Sequence, residues 1–98
     1  MAAFEDHVAV PQRTVTELTD GADIASGIRV QVFGNAKVRF KAVATGGSAP
    51  TNAAGFDGGL TLENWQAADE GDLSKAVTVA RVYAWCEDSN AIVSVSHD

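Results

Sequence analysis

The chain has 98 residues, 46% of them hydrophobic and 20% charged, with a formal net charge of −6. That composition excludes intrinsic disorder, fits one domain with a single core, and counts against a free nucleic-acid binder, which is normally basic. Cys86 is the only cysteine, so no intrachain disulfide exists, and its apolar setting, VYAWC, marks it as a buried and inert thiol.

Residues 1–12 read as an extended N-terminal arm, and 13–98 as a single β domain. In the arm, Phe4, Val8 and Val10 are apolar, Glu5 and Asp6 interrupt them, and Pro11 ends any regular element. Such an arm either pairs at a sheet edge or lies on a neighbouring chain. With no basic run and no long apolar segment, it reads as neither a signal peptide nor a membrane anchor. Arg13 to Leu18 is a strand candidate, rich in β-branched residues, and Thr19 to Gly27 is a turn-rich connection.

Ile28 to Ala44, IRVQVFGNAKVRFKAVA, has the alternation of a β-hairpin. Ile28, Val30 and Val32 alternate with Arg29 and Gln31, and Val38, Phe40 and Ala42 alternate with basic residues. Gly34 and Asn35 supply the turn. A three-residue loop, Gly34 to Ala36, pairs Val32 with Val38 and Val30 with Phe40, which keeps all the apolar residues on one face. The other face then carries Arg29, Lys37, Arg39 and Lys41, four of the seven basic residues in the chain. This stripe is either a solvated sheet face or a docking face for an acidic partner, and Phe4 and Val8 of the arm join it as candidate partner contacts.

Thr45 to Gly59 holds five glycines and one proline, which rules out a helix, and Phe56 is its natural anchor. Leu60 to Leu62 is a short strand candidate. In Glu63 to Ser74 the run ENWQAADE allows one helical turn, ended by Gly71. Val77 to Glu87 and Ala91 to Asp98 read as a terminal hairpin with a four-residue turn, pairing Cys86 with Ala91, Ala84 with Val93 and Val82 with Val95. That face is small and apolar, hence core. The other face carries Arg81, Tyr83, Trp85 and Ile92, which is a candidate oligomer interface if only one side of the sheet meets its own core. Several short strands and no long amphipathic helix give an all-β fold, a small antiparallel β-sandwich or barrel.

Catalytic and metal chemistry find little footing. His7 and His97 lack ligand partners at zinc spacing, and the acidic cluster Asp69, Glu70 and Asp72 lacks a calcium-loop pattern. Ser94 and Ser96 have no nucleophile elbow, and Gly46-Gly47 is not followed by the lysine and helix of a phosphate loop. The expectation is a non-enzyme without cofactor or metal.

The string GGSAPTNAAGFDGGLTL, followed by VTVARVYAWCEDSNAIVSVSHD, resembles small accessory virion proteins of tailed bacteriophages. The resemblance covers roughly residues 45–98 and lies in cadence rather than in an invariant motif. It implies a β-sandwich or barrel that decorates or cements the capsid, often as a trimer with an arm over its neighbour. The expected partner is then the major capsid protein or another virion protein, in a homotrimer, with no direct contact to nucleic acid or membrane. The expected location is the virion, assembled in the host cytoplasm. The alternative is a head-spike or tail-associated module that recognises host carbohydrate or receptor, with Trp65, Tyr83 and Trp85 stacking on sugar rings.

Overall fold

The computed structural model describes residues 4–19, 28–57, 59–73 and 80–97. Two four-stranded sheets pack face to face, as expected for a small all-β sandwich. The first sheet runs β1 (Phe4–Val10), β8 (Ala91–His97), β3 (Arg29–Phe33) and β6 (Ala67–Asp69). The second runs β2 (Thr16–Glu17), β7 (Arg81–Trp85), β4 (Val38–Val43) and β5 (Leu60–Leu62). All named strand pairs are antiparallel. The only helical elements among the described residues are a 3-10 turn at Ala53–Phe56 and one α-turn, α1 (Glu70–Leu73). None is long and apolar enough to cross a membrane.

Alternation sets which side chains face inward. Val30 and Val32 on β3, Val38 and Phe40 on β4, Val82 and Ala84 on β7, and Val93 on β8 are all fully buried in the core between the sheets. Cys86 and Ala91 belong to the same core, so the inward face expected for the terminal segments is the one observed. Of the arm, residues 4–10 form the edge strand β1, paired with β8 from Phe4↔His97 to Val10↔Ala91. Val10 is fully buried, and Val8 is half-buried against the core. The side chain of Phe4 lies outside the described set, as does the turn-rich segment 20–27.

Neither expected hairpin forms. β3 pairs with β8 and β6, while β4 pairs with β7 and β5, so residues 34–37 carry the chain from one sheet to the other. Residues 86–90 do the same between β7 and β8. The three-residue-loop register of Val32 with Val38, and the pairing of Ala84 with Val93, are therefore corrected. Val32 lies opposite Val93, and Phe40 opposite Ala84. The physical reason is a degeneracy. In a sandwich, two successive strands bury the same alternate residues whether they lie side by side or face each other across the core. The turn residue is Gly34, at φ 86°; Asn35 does not share its positive φ.

The 63–74 segment also differs from expectation. Glu63 to Gln66 is a tight turn, closed by the Gln66 amide donating to the Glu63 carbonyl at 3.1 Å. A short strand follows, and the helical turn starts only at Glu70, so it includes Gly71 rather than ending before it.

Candidate functional site: an aromatic face on the first sheet

The two sets of residues expected to form interfaces are redistributed by the arch topology. Arg29 is exposed on the outer face of the first sheet, beside Ser96 and Asp69 in register. Lys37 is exposed in the connection between the sheets. Arg39 and Lys41 lie on the outer face of the second sheet, where they hold the 45–59 loop. The Arg39 guanidinium meets Asp57 Oδ1 at 3.0 Å, and Lys41 Nζ donates to the Asp57 carbonyl at 3.1 Å. The four cations that a hairpin would gather on one face are thus divided among the two sheets and the connection between them, and they do not form a single stripe.

Tyr83 and Trp85 point outward from β7, as the alternation requires, yet each is only 8% exposed. Their cover comes from the same chain. Phe56, at the end of the 3-10 turn, packs with Val43, Tyr83 and Trp85 into a second cluster on the outside of the second sheet. Asn52 starts that turn by accepting a hydrogen bond from the Gly55 amide. At Gly59 a side chain has no room, since a Cβ there would sit 2.1 Å from the Phe40 carbonyl oxygen. The loop therefore lies on the sheet, and Tyr83 and Trp85 of the expected oligomer surface are internal contacts, while Arg81 is half-buried outside that cluster. Ile92, the fourth member, is on the other sheet and is 47% exposed.

Ile92 has different neighbours, and these make the best candidate site. On the outer face of the first sheet, Phe33 of β3 lies in register with Ile92 of β8, and Ile92 with Ala9 of β1. His7 reaches across β8 to Phe33, with ring centroids 4.8 Å apart, and Phe33 meets Trp65 at 5.2 Å. Three rings in file and an isoleucine thus line one side of the first sheet. Trp65 is 55% exposed, the most open large apolar side chain among the described residues.

Trp65 is held there at a cost. It and Asn64 both have positive φ, 65° and 53°. Asn tolerates this conformation, but a bulky residue such as Trp loses about 1–2 kcal/mol in it. The turn is pinned to β3: the Trp65 amide donates to the Gly34 carbonyl at 3.0 Å, and the Val32 amide to the Gln66 carbonyl at 3.0 Å. Gln31 Nε2 donates to the Trp65 carbonyl at 3.1 Å, and the Gln66 side chain accepts from the Glu63 amide at 2.9 Å. Strain maintained by several hydrogen bonds, at a side chain left half in water, is characteristic of a residue kept for contact with something else.

Of this face, the sequence reading singled out Ile92, Trp65 and Arg29 but did not join them. The signal it held was Phe33, which falls on the same alternate positions as Arg29 and Gln31 and so is an aromatic on the polar side of its strand. Among the described residues no group of three or more His, Cys, Asp or Glu side chains is placed to hold a metal ion. No family model, curated protein or solved structure matches this chain.

Proposed function

We propose that the chain is a non-enzymatic structural protein of a tailed-phage virion, a decoration or cement module that binds the head shell through the outer face of its first sheet. One observation carries the binding part of this reading: the file of exposed His7, half-buried Phe33 and exposed Trp65 beside exposed Ile92 on the first sheet. Aromatic side chains concentrate at protein interfaces, where a few well-packed anchors supply most of the affinity. The virion part is supported by the resemblance of residues 45–98. The homotrimer that this resemblance implies has lost the Tyr83–Trp85 surface that motivated it, because Phe56 covers those rings.

A second reading has its own support. Trp65 is half-exposed, and an open indole ring is a surface on which a sugar ring can stack. In that case the protein is a spike or tail module for host-surface carbohydrate. Co-sedimentation with emptied phage capsids, set beside binding to a glycan array, separates the two. Capsid binding that is lost in both Trp65→Ser and Ile92→Ser supports the decoration role. Glycan binding that is lost in Trp65→Ser but kept in Ile92→Ser supports the second. Capsid binding unaffected by either substitution removes this face from the mechanism.

A further inference from the structure

We propose that two copies of this chain pair along β1, antiparallel and across a two-fold axis at His7, joining their first sheets into one eight-stranded sheet. This goes beyond the decoration reading and does not depend on it.

The starting point is an asymmetry among the sheet edges. β2, β5 and β6 are edge strands of two or three residues. Short edges offer little for another chain to pair with. β1 is an edge strand of seven residues, without proline, and paired on one side only among the described residues. Every other residue of such an edge turns its amide and carbonyl groups outward, which makes a template for a further strand.

The side chains choose the occupant and the register. Partners across an antiparallel pair share a face, so residue numbers of allowed self-pairs have an even sum. Pairing centred on Asp6 sets two carboxylates against each other. Pairing centred on Val8 uses only five residues of the strand and brings Glu5 against Pro11. Pairing centred on His7 uses all seven, with Phe4 opposite Val10, Glu5 opposite Ala9 and Asp6 opposite Val8. No two acidic residues then meet. The outer faces also become continuous, because His7 and Ala9 begin the row that leads to Ile92, Phe33 and Trp65. The two aromatic files thus adjoin at the axis. A closed two-fold contact of this kind is the commonest symmetric assembly.

The test is sedimentation over a wide concentration range on the full chain, combined with variants at exposed positions of β1. His7→Cys places two thiols at the axis, where the 4.5–5.5 Å Cα separation of paired strands suits a disulfide. It is expected to form a covalent dimer under mild oxidation, whereas Ile92→Cys, on the next strand inward, is not. Ala9→Glu faces Glu5 of the other copy and is expected to weaken dimerisation about tenfold, since two like-charge pairs arise per dimer. Ala9→Lys is expected to strengthen it, and misfolding cannot imitate that opposite sign. A monomer at every concentration overturns the proposal. So does a dimer or trimer that His7→Cys fails to trap and that responds alike to Ala9→Glu and Ala9→Lys.

Discussion

The ring of Phe56 packs against the indole of Trp85 with their centroids 6.1 Å apart, and this contact closes the outer face of the second sheet. A glycine-rich loop, weak in any intrinsic structure, is fixed by one aromatic side chain that is 1% exposed. Phe56→Ala is therefore expected to cost about 3–5 kcal/mol. Thermal melting measures it, and a red shift of tryptophan emission in a Trp65→Phe background reports the uncovering of Trp85. A melting temperature equal to that of the parent would mean that the loop is held by other contacts.

The two tryptophans should behave oppositely. Trp85→Ser removes a buried ring and is expected to cost about 3–5 kcal/mol, while Trp65→Ser, at a half-exposed and strained site, should shift stability by less than about 1 kcal/mol. Denaturant unfolding of both variants makes the comparison. Equal losses would show that the Phe33–Trp65 contact is part of the fold's own support.

Ala84 is fully buried, between Thr16 and Phe40 in register. Ala84→Asp places a lone charge in the core, costing several kcal/mol, and should unfold the domain. Circular dichroism is sufficient to check this, and a folded variant would put Ala84 outside the core.

Arg39 and Lys41 both bond to Asp57 of the loop. Replacing both by Ser should lower stability by at most about 1 kcal/mol, because the pairs are solvent-exposed. It should also speed proteolytic cutting within residues 45–59. Intact loops combined with weakened capsid binding would instead return these cations to a docking role.

Cys86 is fully buried, and its Sγ lies 3.3 Å from the Lys37 carbonyl oxygen. Its thiol should react with a disulfide reagent only as fast as the protein opens, and so track the unfolding rate across denaturant. Rapid labelling of the native protein would contradict this.

Much of the fold could be read from residue order. The inward residues of the four main strands were legible, because alternation depends only on the chain's own period. Phe56 as the loop anchor was legible for a similar reason: it is the one large apolar residue in a fifteen-residue segment that is otherwise small or polar. Strand partners were not legible. Val32 has the same burial whether it faces Val38 beside it or lies beside Val93, so the pattern at 28–44 cannot distinguish a hairpin from a crossing. The cover over Tyr83 and Trp85 was missed because it comes from a loop some thirty residues away in sequence. The aromatic face was missed because it joins β1, β3 and the 63–66 turn, which only the tertiary pairing brings together. The positive φ at Trp65 has no sequence signal, apart from Asn64 before it.

The crossing of the chain between sheets at 11–15, 34–37, 63–66 and 86–90 has a consequence for how the molecule comes into being. Among the described strands, β4 and β5 are the only pair adjacent in sequence that are neighbours in a sheet, so little of the described pairing can form locally. Folding dominated by such distant contacts is slow, on the order of milliseconds to seconds. The first sheet is the extreme case, because β8, more than eighty residues after β1 in the chain, lies between β1 and β3. Among the described strands, β1 has only Ala91–His97 to pair with. Removal of Ala91–His97 should therefore leave β1 and β3 with no described strand to join them.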